Sequence, residues 1–214
     1  MFIHKNQKQK SHGTPRVPWL TLCLTGAMII LYFMPSSLFN MLLFNKDNII
    51  QGELRRFFTG HFVHCSFEHL FWDLAAFVIL GTVIELNDRR ELIPSLIWSC
   101  LGVSGWLLWG EDKFTTYCGL SGALNGLLVV AAVMLWKQTQ QKMYLLVIIA
   151  TIAKIIFEFT THQTIFTNLS SQAVPSAHAV GVFFGVVYAF KTEIKKFILE
   201  RISIINKSYS EADF

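Results

Sequence analysis

Six apolar runs constrain this chain more than any other feature: 19–34, 70–86, 92–109, 119–136, 143–159 and 174–190. Each is about as long as the roughly 20 residues needed to cross a bilayer. Hydrophobic residues make up 53% of the 214 and charged residues 15%, where a soluble domain carries about 25% charge. Too few polar side chains remain to cover so much apolar surface. Nineteen Phe exclude a disordered chain, and four Cys exclude a disulfide-dense scaffold. The expected fold is all-α, a polytopic bundle of six transmembrane helices, because open strands leave their backbone unsatisfied in lipid. The domain plan is an N-terminal tail (1–18), a membrane domain (19–190) and a C-terminal tail (191–214).

The first run follows Lys5, Lys8, Lys10 and Arg16 and so resembles a signal peptide. No small-x-small cleavage site follows it, and the run is read as a retained span. Six spans put both termini on one side. That side collects Lys5, Lys8, Lys10, Arg16, Arg89, Arg90, Lys137, Lys142, Lys191, Lys195, Lys196, Arg201 and Lys207. The other side holds Lys46, Arg55, Arg56 and Lys113. By the positive-inside rule both termini are cytoplasmic. The net charge of +4 is then a consequence of topology and calls for no nucleic-acid partner. The long outer connection, 35–68, is rich in Leu, Phe and Ile and is expected to lie in the membrane interface.

Ionisable groups inside spans are costly and mark candidate sites. The second, fourth and sixth spans all start at the outer face. They open on His69 and Asp73, on Ser121, and on His178. One hydroxyl and three partners therefore share one depth. Gly122 and Gly126, and likewise Gly181 and Gly185, form small-residue faces that let helices approach closely. Packing through them would bring Ser121 to His178. A nucleophilic Ser needs a base and donors for the oxyanion. His178 is the candidate base. His69, the Ser121 backbone and Asp73 are the candidate donors, and residues 69 and 73 share a helix face.

Each feature also has a plainer explanation. A Ser in a membrane helix commonly bonds its own backbone, a His near a span end is commonly interfacial, and Asp73 could bridge two helices. Metal binding by His61, His64, His69, Asp73 and His178 is the chemical rival, but no HExxH helix or CxxC pair occurs. No metal or cofactor is expected. Glu85, Lys154 and Glu158 read as structural pairs or caps, the last two lying four residues apart on one helix. A transporter would spread polar groups through the bilayer depth and show an inverted repeat; here polarity gathers at one depth.

Taken together, these residues resemble the rhomboid family of intramembrane serine proteases over about 35–190. Gly52-Glu53-Leu54-Arg55-Arg56 is similar to the family's first-loop motif, with Arg55 where Trp is usual. His64 to His69 is similar to its two-His segment, and Gly81 with Glu85 to its Gly-x-x-x-Glu pair. Gly119-Leu120-Ser121-Gly122 matches its Gly-x-Ser-Gly, and Ala177-His178-Ala179 with Gly181 and Gly185 its last-helix motif. The resemblance implies a Ser121–His178 dyad cleaving a transmembrane segment near the outer surface, with His69 and the Ser121 backbone holding the oxyanion. Asp73 stands where rhomboids generally have Asn. With Trp72, Leu124, Asn125 and Gly126 this looks more like the rhombosortase branch. That branch implies exported substrates with a C-terminal Gly-Gly-containing tail, and a bacterial inner membrane with the site opening to the periplasm. The expected partners are membrane lipid and single-span or C-terminally tailed membrane proteins. The alternative is an inactive rhomboid relative acting in binding or quality control, though both Ser and His are present.

Two questions stay open in the sequence. Asp73 is either a protonated donor or a carboxylate that orients and charges His69. Cys65 and Cys118 both fall on the outer side, where an oxidising periplasm permits a disulfide, or they are two separate thiols. Cys23 and Cys100 lie within spans.

Overall fold

The computed structural model describes residues 16–161, 174–195, 197–199 and 202. Most of both expected tails, with Lys5, Lys8, Lys10, Lys196, Arg201 and Lys207, lies outside the described residues.

Among the described residues the fold is all-α apart from one two-residue antiparallel ladder. Helix α1 (Trp19–Tyr32) is followed by short α2 (Ser36–Leu42), strand β1 (Phe44–Asn45), and short helices α3 (Lys46–Ile50) and α4 (Arg56–Thr59). A 3-10 turn, Gly60–Phe62, leads toward α5 (Phe67–Asn87) and α6 (Arg89–Trp109). Strand β2 (Thr116–Tyr117), α7 (Ser121–Thr139), α8 (Met143–Thr161) and α9 (Pro175–Ala189) complete the order.

Local chemistry sets the boundaries. Pro18 and Pro35 bracket α1, and proline disfavours helix in the residue before it. Ser66 caps α5 by accepting the His69 N–H at 3.2 Å, and Asp88 caps α6 by accepting the Arg90 N–H at 3.0 Å. Pro175 occupies the first turn of α9, where its missing N–H costs nothing.

Among the described residues four helices, α5 to α8, are long and apolar enough to cross a membrane. A fifth qualifies if α9 is joined across a 63° bend to the Lys191–Leu199 helix. The expected six are therefore reduced by this measure. Helix α1 has 14 residues, about 21 Å of rise, short of a roughly 30 Å hydrocarbon core.

Helix α7 is the most buried of the four and packs against α5, α6, α8 and α9. Helix α8 is the most apolar and the least buried. It exposes Leu146, Ile149, Ile152 and Ile156, and buries Thr151 and Glu158. Glu85 serves as an acceptor for the start of α1. Its carboxylate takes the Leu20 and Thr21 N–H groups at 3.0 and 2.8 Å and the Thr21 hydroxyl at 2.9 Å, where the helix dipole favours negative charge.

The 35–66 connection folds into a packed layer. Buried Arg56 donates to the carbonyls of Asn40 and Leu43 at 2.6 and 2.8 Å and to Glu53 at 2.7 Å. Arg55, in the position where the motif usually has Trp, is exposed and pairs with Glu53 at 2.7 Å. The β1–β2 ladder sets Phe44 opposite Tyr117. It thereby ties this layer to the strand just before α7.

Candidate active site

Ser121 opens α7, so its N–H belongs to the first turn, whose amides have no intrahelical acceptor. The preceding Gly119 has φ +103°. A Cβ there would collide with the His69 ring. Glycine is thus required twice, for the left-handed backbone and for the close approach of His69.

His178 comes from the first turn of α9 and is buried. Its Nε2 lies 3.0 Å from the Ser121 Oγ. Glycines create this proximity. A Cβ at Gly181 would land on the Gly122 carbonyl oxygen, and one at Gly185 would sit 2.5 Å from the Gly126 carbonyl oxygen. Helices α7 and α9 are in backbone contact, which fixes the two side chains one turn away. The pair can chemically take a proton from the hydroxyl as it attacks a carbonyl.

On its other side His178 Nδ1 meets the Glu158 Oε2 at 2.7 Å. Glu158 is almost wholly buried and its Oε1 pairs with Lys154 Nζ at 2.9 Å. Lys154 reaches the Asn125 Oδ1 at 3.4 Å, and the Asn125 amide donates to the Ser121 carbonyl at 2.8 Å. The expected Lys154–Glu158 pair is present, but one carboxylate oxygen faces His178. Sequence spacing gave no signal for that contact.

Asp73 is buried in α5. Its Oδ2 accepts the Leu120 N–H at 2.7 Å, lies 3.0 Å from His64 Nε2 and 3.4 Å from His69 Nε2. One oxygen thus gathers the turn before Ser121, the first loop and α5. The His64 and Leu120 contacts were not visible in the sequence. The buried His69 Nδ1 has no hydrogen-bond partner among the described residues. Tyr117 is buried and its hydroxyl accepts the Gly122 N–H at 3.3 Å. Burial pushes that phenol well above its ordinary range.

His64, His69 and Asp73 bring one ligand atom each within 4.8 Å of one another. They are the described residues that could hold a metal. The shared oxygen already accepts a backbone N–H and faces a His nitrogen at hydrogen-bond distance, so direct hydrogen bonding accounts for the cluster.

Cys65, between His64 and the cap of α5, is joined to Cys118 by a disulfide, with Cα atoms 6.5 Å apart. It ties the first loop to the residue before Gly119. Cys23 and Cys100 are free thiols.

The rhomboid domain family model matches residues 51–193. That stretch contains every residue of this site. The chain belongs to the rhomboid family, whose members are typically intramembrane serine proteases and include inactive proteins. No curated protein matches the chain.

Proposed function

We propose that this protein is an intramembrane serine endopeptidase in which Ser121 is the nucleophile and His178 the general base. The observation that carries this reading is the 3.0 Å contact between His178 Nε2 and Ser121 Oγ at the start of α7, inside a rhomboid domain. His178 takes the hydroxyl proton as Oγ attacks the scissile carbonyl, then returns it to the leaving amine. The acyl-enzyme is released by water. The Ser121 N–H and His69 hold the oxyanion, and no cofactor or metal takes part.

Asp73 is read as a carboxylate. Its contacts with the Leu120 N–H, His64 and His69 support an acceptor over a neutral donor. Asp73 then faces the His69 ring through Nε2 and orients it beside the Gly119 turn. The charge of Asp73 stays one ring away from the reacting oxygen. The Cys65–Cys118 bridge holds the turn before Ser121 in place.

The finer reading is a rhombosortase-like enzyme with six spans, α1 and α9 crossing as well. Both termini are cytoplasmic and the site opens to the periplasm of a bacterial inner membrane. Asp73 after Trp72, and Leu124-Asn125-Gly126 after the Ser121 motif, support this branch. Its substrates are exported proteins with a C-terminal, Gly-Gly-containing membrane tail.

The test is co-expression with a tailed substrate. Wild type cleaves it, while Ser121→Ala and His178→Ala do not, although both insert and fold. The double variant is no worse than either single, because the two act as one unit. Full cleavage by either single variant rejects the protease reading and leaves an inactive relative.

A further inference from the structure

Helix α8 is anchored by an unusual stripe. Its outward face is apolar, yet Thr151, Lys154 and Glu158 line the side toward the bundle, at intervals of three and four residues. Glu158 is 1% exposed. A buried carboxylate facing one lysine would be a structural pair and nothing more. This one is divided: Oε1 faces Lys154 at 2.9 Å and Oε2 faces His178 Nδ1 at 2.7 Å. The carboxylate thus serves two partners, one through each oxygen. The path then closes on itself. From Ser121 Oγ it runs through His178, Glu158, Lys154 and Asn125 to the Ser121 carbonyl oxygen.

We propose that Glu158 is the positioning residue of the site: it accepts the His178 Nδ1–H, holds the ring with Nε2 toward Ser121, and stabilises the imidazolium formed when Ser121 attacks. This rests on the protease reading above and adds a third member to the Ser–His pair. A neutral His presents one donor and one acceptor nitrogen. A carboxylate at Nδ1 cannot donate, so it selects the tautomer whose Nε2 is free to accept the Ser121 proton. Lys154 moderates the charge and holds Glu158 in place, while Asn125 links the cation back to the nucleophile's own helix.

The charged and titratable groups around His178 come from several elements. Glu158 and Lys154 lie on α8, and His69 and Asp73 on α5. Tyr117 lies on β2, and Glu111, after α6, accepts the Ser176 hydroxyl at 3.0 Å. Only Glu158 touches the His178 Nδ1 among the described residues.

The test needs no identified substrate. A fluorophosphonate probe forms a bond from Ser121 Oγ to phosphorus as fluoride leaves, and His178 takes the proton. Labelling rate is measured against pH on the full chain in detergent. With Glu158→Gln, the acid limb should move down by about one pH unit and the plateau should fall at least about tenfold, because the imidazolium loses its counter-charge. With Lys154→Gln the limb should move up, because the carboxylate is no longer shared. A role confined to holding α8 in place moves neither midpoint. An unchanged midpoint in folded Glu158→Gln overturns the proposal; if that variant does not fold, an unchanged or lowered midpoint in Lys154→Gln does so. Labelling of Ser121→Ala at the wild-type rate instead rejects the protease reading itself.

Discussion

Gly181 of α9 rests directly on the carbonyl of Gly122 of α7, with no space for a Cβ between them. This contact sets the distance between the two helices that carry Ser121 and His178. Gly181→Ala must force α9 outward. Overpacking of this kind costs about 1–3 kcal/mol, and a displacement of even about 1 Å between reacting groups costs on the order of 10²-fold in rate. The variant should melt earlier in detergent and label with fluorophosphonate at least tenfold more slowly. Gly26→Ala is the control, since a Cβ there meets nothing within 4 Å. Equal labelling by both variants would remove the glycine contact from the mechanism.

Asp73→Asn separates the two states of that residue. A neutral donor is replaced by the Asn amide with little loss. A carboxylate that fixes the Leu120 N–H and orients His69 is not. The expected outcome is a loss of one to three powers of ten in labelling rate, comparable to losing an oxyanion donor, with Asp73→Ala at least as severe. Near-wild-type rates for Asp73→Asn from about pH 6 to 9 would reject the ionised arrangement.

The sequence shows some of these residues and hides others for identifiable reasons. Ser121, His69 and His178 stand out because helix alternation places their positions at one depth, and Gly122 and Gly181 because small residues next to them announce close packing. Glu158 does not stand out. Its lysine four residues earlier already accounts for a carboxylate in a span, and its contact with His178 depends on how α8 is rotated, which no local pattern fixes. His64 and the Leu120 N–H are missed as partners of Asp73 for the same reason: the link joins a loop, a helix and a turn. Glu85 reads as a structural pair or cap, and its partners are the first amides of α1, 64 and 65 residues away. The count of six spans rests on apolar length, but the prolines at 18 and 35 trim α1 to 14 residues.

The Cys65–Cys118 bridge closes a separation of 53 residues. Loop-closure entropy gives a stabilisation of about 4 kcal/mol for a loop of that size, and measured values are commonly about 2–4. Cys65→Ser with Cys118→Ser should therefore lower the denaturation midpoint, and reductant should lower wild type to match. Labelling should also slow, because Cys118 precedes the left-handed Gly119 turn that leads into Ser121. Maleimide reaction at both thiols without prior reduction would show that the bridge does not form.

His61 gives the fold a defined acid sensitivity. It lies in the 3-10 turn of the first loop and is 1% exposed. The Ser104 hydroxyl donates to the Phe57 carbonyl at 2.6 Å and so accepts from His61 Nε2–H at 2.8 Å. Burial pushes the imidazole down from 6.5 to about 4. The unfolded chain then binds the extra proton between those two values, and stability rises with pH wherever the unfolded state binds more protons. The contribution is complete above about pH 6.5 and is lost as pH falls toward 4, amounting to roughly 3 kcal/mol at one unit per 1.36 kcal/mol. Carboxylates titrate in the same window, so the measurement is a difference. Denaturation of wild type and His61→Gln in detergent is compared at pH 7.5 and pH 4.5. The wild-type stability should fall further between the two, and equal falls would show that His61 is not held neutral by burial.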